Sequence, residues 1–340
     1  MTTEYPAVVA VVARRAACVE TPAVACTGTL IAPRVVLTAA HCFDVFGTEG
    51  RNYEVYFGPD LNGPEGSYVL GDVAIRHPEF DDETHENDVG LLRLAERAPV
   101  EPMALPIGVL DDTSVGGTAR VVGFGVTRDE SQPEGVKREG STVVTELTAT
   151  MFRSARDPSM TCQGDSGGPV FVDLGEGEEL AGITVSGDPG CDVEASNVRV
   201  DAVLDFIAPF VEEAASAPMV DPTGTLPVDA LCEMGCASNA DCPYGMVCEA
   251  TFEGSACRFL ARSPGVLTEP CSTDDECGGG SCSRVWSSGP DACRCFEPCE
   301  AMGDPGEGGC AAAPVPAGPA PWLAVGVALL LVVRRRLTRR

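Results

Sequence analysis

The segment Thr161-Cys-Gln-Gly-Asp-Ser-Gly-Gly-Pro-Val170 directs the interpretation of the whole chain, because Ser166 lies inside it and every histidine lies upstream of it. These histidines are His41, His77 and His85. A serine hydroxyl is a weak nucleophile that needs an adjacent base, and that base needs a third group to fix its tautomer. The positions of the histidines relative to Ser166 therefore restrict the catalytic arrangements open to the chain.

The positions of the histidines exclude two of the known orders in which the catalytic Ser, His and Asp follow one another along a chain. Gly164–Gly168 also matches the G-x-S-x-G elbow of α/β-hydrolases, in which the histidine follows the serine, but no histidine follows Ser166. An order of Asp, His and Ser needs an aspartate before the histidine, whereas the first aspartate, Asp44, comes after His41. The order His, Asp, Ser remains.

Two further motifs complete this order. Leu37-Thr-Ala-Ala-His-Cys42 contains His41, and Glu86-Asn-Asp-Val-Gly-Leu-Leu92 contains Asp88. Together with the serine motif, they make residues 5–211 strongly resemble the chymotrypsin-like serine endopeptidases of the trypsin family. That resemblance implies a hydrolase that needs no cofactor or metal and cleaves protein or peptide substrates through an acyl-enzyme.

The resemblance also implies a role for each site residue. His41 is expected to be the general base, Asp88 the group that orients it, and Ser166 the nucleophile. The backbone N–H groups of Gly164 and Ser166 are expected to form the oxyanion hole. The alternative is a catalytically silent pseudoprotease, in which the same fold acts as a surface binding protein.

The other two histidines are expected to have no part in the site. His77 follows Arg76 and precedes Pro78, which is typical of a surface turn. His85 lies between Thr84 and Glu86 and is expected to be a solvated loop residue.

Short apolar or alternating runs, separated by Gly, Pro and Asn, predict β-strands along this region. They are Ala7–Val12, Gly28–Ile31, Val35–Thr38, Tyr53–Phe57, Val89–Leu92, Ala119–Gly125, Val170–Val172 and Ala181–Val185. Val200–Ile207 has apolar residues at helical spacing. The expected fold class is all-β, with two antiparallel six-stranded barrels, the triad in the cleft between them and a C-terminal helix.

The resemblance implies two disulfides. Cys26 would bind Cys42 beside the histidine, and Cys162 would bind Cys191 beside the serine. Such bridges are typical of an oxidising compartment. Cys18 has no obvious partner. No cysteine occurs between Cys42 and Cys162, so the family's further bridge, across the loop just before the serine segment, is missing.

Substrate preference follows from the resemblance alone. Met160 occupies the floor of the pocket for the side chain before the scissile bond (P1), and it carries no charge. Val185, Ser186 and Gly187 are expected to form its walls, with Ala195 deeper in. We therefore expect apolar P1 residues rather than Lys or Arg.

Activation in this family requires a newly freed N-terminus that pairs with the aspartate before the nucleophile, here Asp165. The sequence begins Met1-Thr-Thr-Glu-Tyr-Pro6 and shows no signal peptide. We expect the natural start to lie upstream, an extended form processed by an activating protease to be active, and the Met1 form to be nearly inert.

Composition separates four regions. The chain has 340 residues, room for about two domains, and its net charge of −28 argues against nucleic acid as a partner. The peptidase domain is expected over residues 1–213, a linker rich in Ala and Pro over 214–230, a cysteine-rich region over 231–300 and a tail over 301–340.

The cysteine-rich region contains an approximate repeat. The spacing of Cys236, Cys242, Cys248 and Cys257 is echoed by that of Cys271, Cys277, Cys282 and Cys293. Two small disulfide modules are expected. Zinc is the competing interpretation, and the absence of histidine and of C-x₂-C spacing in this region disfavours it.

The tail resembles bacterial C-terminal sorting signals of the MYXO-CTERM type. Cys310 precedes an Ala- and Pro-rich stretch, an apolar run from Trp322 to Val333 and a basic end that terminates at Arg340. The resemblance implies export, processing near Cys310 by a sorting enzyme, and anchoring at the cell surface or outer envelope through a C-terminal membrane helix. A simple stop-transfer anchor is the alternative.

Overall fold

The computed structural model describes residues 1–13, 24–44, 47, 50–127, 133–175, 177–217, 219, 235–238, 242, 247–251, 254–258, 265–284 and 293–298. Cys18, most of the expected linker and the whole tail with Cys310 lie outside these residues. No helix within the described ranges is long and apolar enough to cross a membrane.

The first closed barrel consists of antiparallel strands in the order β1-β2-β3-β6-β5-β4. Its strands are β1 (Val8–Ala13), β2 (Val24–Ala32), β3 (Val35–Thr38), β4 (Tyr53–Phe57), β5 (Ser67–Arg76) and β6 (Gly90–Leu94). The valine-rich β1 is almost wholly buried and pairs with both β2 and β4, which closes the barrel. Continuous apolar runs fit such a doubly covered strand.

The second closed barrel repeats this arrangement in the order β10-β11-β12-β9-β8-β7. Its strands are β7 (Thr118–Gly123), β8 (Arg138–Leu147), β9 (Met151–Arg156), β10 (Pro169–Asp173), β11 (Glu178–Gly187) and β12 (Glu194–Arg199). Read around each ring, the two barrels have the same strand connectivity. The prediction of two antiparallel six-stranded barrels is confirmed.

Both barrels contribute to one hydrophobic cluster. Phe171, Ile183 and Val198 of the second barrel belong to the same buried set as Val11 and Leu91 of the first. The barrels therefore pack directly against each other.

Helix α1 spans Leu204–Ser216 and closes the two-barrel unit. It begins four residues later than the apolar pattern indicated, because Val200–Val203 form a turn in which the Val203 amide donates to the Val200 carbonyl. It also continues past residue 213, because Ala214 is still buried against the barrels.

The described cysteine-rich segments contain two small sheets. β13 (Val247–Thr251) pairs with β14 (Gly254–Arg258), while β15 (Gly265–Pro270), β16 (Ser281–Arg284) and β17 (Cys293–Pro298) form a sheet in the order β15-β17-β16. Disulfides join Cys236 to Cys248, Cys271 to Cys282 and Cys277 to Cys295. The first and third cysteines of each repeat are bonded, which supports the repeat and uses thiolates that zinc would need.

Candidate active site

The pairing of β3 with β6 brings the histidine and aspartate motifs together. Thr38, the last residue of β3, lies opposite Gly90, the first residue of β6. His41 follows Thr38 on a short 3₁₀ helix, and Asp88 precedes Gly90 by two residues. A Cβ atom on Gly90 would lie 2.6 Å from the Phe43 ring and 2.8 Å from the Ala39 carbonyl. Glycine at this position therefore lets the histidine loop pack onto β6.

The Asp88 carboxylate binds both the backbone and the side chain of His41. The His41 amide donates to Oδ1 over 2.9 Å, and Nδ1 of the His41 ring lies 2.6 Å from Oδ2. Asp88 is fully buried, whereas the His41 side chain is 26% exposed. With Nδ1 donating to the carboxylate, Nε2 of a neutral His41 is an acceptor.

The Ser166 loop is attached to the first barrel through its backbone. The Thr27 amide donates to the Ser166 carbonyl over 2.8 Å. Gly167 has a φ of +78°, and a Cβ atom there would lie 2.0 Å from Thr38 Oγ1. Only glycine permits this approach, which places Ser166 beside the Cys26–Cys42 disulfide next to His41.

The Ser166 hydroxyl forms no hydrogen bond with the His41 ring in the part of the chain that the structure describes. The structure thus brings His41 and Asp88 into direct contact and places Ser166 on the adjacent loop. Hydrogen bonds between catalytic groups are often long or poorly aligned in the absence of substrate, and they tighten when substrate binds.

Two backbone amides of this loop donate no hydrogen bond within the part of the chain that the structure describes. The Gly164 carbonyl is turned toward Thr27, whose hydroxyl donates to it over 2.8 Å. Among the described residues, neither the Gly164 amide nor the Ser166 amide donates a hydrogen bond to another protein group. Both N–H groups are thus available to an anionic ligand.

Asp165 lines a cavity of about 250 Å³. Its carboxylate accepts from the Gly125 and Cys162 amides, each over 2.9 Å. The residue retains some exposure, but burial of its carboxylate raises the pKa from 3.8 to about 6, against the opposing effects of the two amides and Arg138. The cavity lining includes Val121, Arg138, Ser159, Met160, Thr161 and Cys191.

The residues expected in the specificity pocket lie on two paired strands and the adjoining loop. Val185 and Ala195 are buried, Ser186 is half-buried and Gly187 is exposed. Gly187 pairs with Ala195 across β11 and β12. Met160, expected at the pocket floor, lines the cavity beside Asp165.

The loop that follows Gly187 is organised by a single carboxylate. Asp188 accepts from the backbone amides of Gly190, Asp192, Val193 and Glu194. These bonds, with that from Val193 foremost, lower the pKa of Asp188. The Cys162–Cys191 disulfide ties this loop to the segment before Ser166, as the resemblance implied.

His85 lies in a loop, as expected, but the expectation that it has no contact with the site was wrong. Its Nδ1 lies 3.2 Å from Asp88 Oδ2, and its side chain is 34% exposed. Positive φ angles of 59° at His85 and 54° at Asn87 turn the ring back toward Asp88. The short sequence separation from Asp88 was the only available signal, and it does not reveal backbone direction.

His77 is also less exposed than expected. Its ring packs edge-on against Phe206 of α1, with the centroids 4.8 Å apart. Burial lowers the pKa of His77. It therefore helps to attach the helix to the first barrel and has no contact with Asp88 in the described structure.

Candidate metal ligands overlap with the proposed triad. Ligand atoms of His41, His85 and Asp88 lie within 4.8 Å of one another. Two ligands of a tetrahedral zinc, each about 2.0–2.1 Å from the metal, lie roughly 3.3 Å apart. The 2.6 Å separation of His41 Nδ1 from Asp88 Oδ2 is instead that of a hydrogen bond.

Comparison with known proteins gives a consistent result. A family model described as trypsin matches residues 2–207. A trypsin of Simulium vittatum is 32% identical over 187 residues, covering 49% of this chain and 71% of that protein. CLIP domain-containing serine protease B9 of Anopheles gambiae is 30% identical over 181 residues, covering 43% of this chain and 45% of that protein. Kallikrein-4 of Homo sapiens is 27% identical over 200 residues, covering 55% of this chain and 75% of that protein.

The raised pKa of Asp165 predicts a pH-dependent contribution to stability. Because its pKa is higher in the folded state, the native protein binds this proton more tightly than the unfolded chain does. The stabilisation is fully present below about pH 4 and is lost as the pH rises through about 6. The expected loss is about 3 kcal/mol in the free energy of unfolding.

Urea unfolding across this range, with Asp165→Asn as the comparison, measures the effect. In Asp165→Asn, the free energy of unfolding should not fall as the pH rises through this range. The control Asp82→Asn, at an exposed position, should show the same fall as the unmodified chain. Parallel curves for the unmodified chain and Asp165→Asn would contradict the assignment.

Proposed function

Because the chain belongs to the trypsin family of serine endopeptidases, we propose that it cleaves peptide bonds with a triad of Ser166, His41 and Asp88. The observation that carries this proposal is the 2.6 Å contact between the His41 ring and the fully buried Asp88 carboxylate. The hydrogen bond from the Thr27 amide to the Ser166 carbonyl supports this assignment, because it attaches the Ser166 loop to the barrel that carries His41.

The proposed reaction proceeds in two steps. His41 Nε2 takes the Ser166 proton as Oγ attacks the substrate carbonyl carbon, and the oxyanion accepts from the Gly164 and Ser166 amides. Collapse of the intermediate breaks the C–N bond, and His41 donates its proton to the leaving amine. Water then attacks the acyl carbon while His41 Nε2 takes its proton; the ester bond to Ser166 Oγ breaks, His41 returns the proton to Oγ, and the acid product leaves.

Asp88 stabilises His41 when it becomes protonated and holds Nε2 toward Ser166. A buried carboxylate is effective here because the low local dielectric strengthens its interaction with the imidazolium. Asp88 accepts no proton in this scheme.

Substitution of the triad should remove activity without unfolding the chain. Ser166→Ala and His41→Ala should each lower kcat by about 10⁴-fold or more, and Asp88→Asn by about 10⁴-fold because it favours the wrong His41 tautomer. Labelling with a fluorophosphonate measures the activated serine directly, with His77→Asn as a control that retains labelling. An activation-processed chain that folds but resists the label would instead favour the catalytically silent binding protein.

We propose Asp165 as the anionic partner of a newly freed α-ammonium group, supplied when an activating protease cuts a precursor. The carboxylate already holds two amide hydrogen bonds, and the adjacent cavity provides space for a cation. An ion pair between the α-ammonium group and the Asp165 carboxylate would return the pKa of Asp165 toward its usual value. It would also stabilise the loop that carries Ser166.

We propose a preference for apolar P1 side chains. Met160 contributes no charge, and Val185 and Ala195 present apolar surface between β11 and β12. Ser186 and Gly187 would supply backbone groups along the pocket entrance.

A panel of peptides that differ only at P1 tests this preference. Leu, Met or Phe should be favoured over Arg and Lys. Met160→Asp should shift the preference toward Arg and Lys, because a carboxylate at the floor can pair with a cationic side chain. Cleavage mainly after Arg or Lys by the unmodified enzyme would contradict the proposal.

We propose that residues 1–213 form the peptidase domain, 214–230 a linker, 231–300 disulfide modules that act as spacers or binding elements, and 301–340 a sorting tail. The disulfides in both described regions support export to an oxidising compartment. A sorting enzyme acting near Cys310 would attach the chain to the cell surface or outer envelope.

Mass spectrometry of the mature protein tests the tail. The expected C-terminus lies near Cys310, and the basic end should be absent. A mature chain that retains Arg340 would contradict sorting and would favour a simple membrane anchor.

A further inference from the structure

We propose that His85 is a positioning residue, which donates its Nδ1–H to Asp88 Oδ2 so that two imidazoles hold the carboxylate of the triad. The proposal rests on the proposed function for its catalytic consequence. The hydrogen bond itself can be tested whether or not the chain is active.

The hydrogen bonds of Asp88 define this arrangement. Among the described residues its carboxylate binds the His41 amide at Oδ1, and it binds His41 Nδ1 and His85 Nδ1 together at Oδ2. Asp88 is fully buried, and a buried anion requires hydrogen-bond donors to remain charged. A lone pair on His85 Nδ1 would face the anion unfavourably, so this nitrogen carries the proton.

The backbone around His85 is fixed by its left-handed turn and by hydrogen bonds within the loop. His85 and Asn87 both have left-handed φ angles, which histidine and asparagine adopt more readily than most residues other than glycine. Asp81 braces the turn, since its carbonyl accepts from the His85 amide over 2.9 Å. Its carboxylate also accepts from the Glu83 and Thr84 amides.

The shared acceptor links His85 to the orientation of His41. The two rings meet edge to face with centroids 5.9 Å apart. Oδ2 is held from two directions, so the carboxylate cannot rotate without breaking a bond to one of the rings. Loss of the His85 bond should therefore loosen His41 and lower kcat, with KM changed much less.

Nitrogen NMR of the ¹⁵N-histidine-labelled chain tests the bond directly. Only three histidines are present, and His77→Asn and His85→Asn variants assign their signals. At mildly alkaline pH we expect neutral His85 to carry its proton on Nδ1. A proton on Nε2 would overturn the proposal. The measurement requires no catalytic activity, so it distinguishes failure of this proposal from failure of the proposed function.

A matched pair of variants tests the catalytic consequence. Asn and Gly both tolerate a positive φ, but only Asn places an N–H donor near the position of Nδ1. Since loss of a hydrogen bond to a charged group corresponds to about a tenfold fall or more, His85→Gly should lower kcat by about tenfold, and His85→Asn should remain within about threefold of the parent. His77→Asn should behave like the parent.

Equal kcat values for the Gly and Asn variants would overturn the positioning role. If His85→Gly fails to fold, the tautomer measurement on the unmodified chain still decides the central claim. A parent chain that resists fluorophosphonate labelling but shows the Nδ1–H tautomer would contradict the proposed function and leave the hydrogen bond supported.

Discussion

The burial of the Asp88 carboxylate is the constraint on which the proposed site depends. A charged group without solvent contact is costly unless donors surround it. The fold meets this requirement by pairing β3 with β6, which places the His41 backbone and ring over the carboxylate. The same strand pairing that forms part of the first barrel therefore also positions His41, the proposed base.

The second constraint is the docking of the Ser166 loop on the first barrel. Thr27 is central, because its amide binds the Ser166 carbonyl and its hydroxyl binds the Gly164 carbonyl. Its hydroxyl oxygen also accepts from the Phe124 amide at the end of β7. One threonine thus joins both barrels and attaches the loop that carries the Gly164 and Ser166 amides to the first barrel. The close approach at Gly167 explains why a glycine follows Ser166, the proposed nucleophile.

Much of the two-barrel fold could be predicted from sequence because several of its strands are short, mostly apolar runs, such as those that became β1 and β3. The strands without a predicted counterpart are β5, β8, β9 and β12. Gly71 and Asp72 interrupt β5, while β8, β9 and β12 carry charged and polar residues on their exposed faces. Their pairing comes from barrel closure, which local patterns do not encode.

Local sequence patterns were equally limited in predicting the contacts of the candidate site. The motifs located His41, Asp88 and Ser166, because chemistry restricts residue type and order. They did not reveal that His85 contacts Asp88, since that contact depends on two left-handed backbone angles in a polar loop. The resemblance supplied the expected role of Asp165, but it did not reveal the adjacent cavity or the raised pKa of the carboxylate, because both depend on the packing of β7 beside the serine loop.

The most direct measurement is a crystal structure of the activation-processed chain after reaction with a peptidyl phosphonate. The account predicts a covalent bond from Ser166 Oγ to phosphorus and a phosphonyl oxygen within hydrogen-bonding distance of the Gly164 and Ser166 amides. It also predicts that His41 Nε2 lies next to the adduct and that His41 Nδ1 keeps its hydrogen bond to Asp88 Oδ2. An adduct on another residue, or a Ser166 adduct whose oxygen points away from both amides, would contradict it.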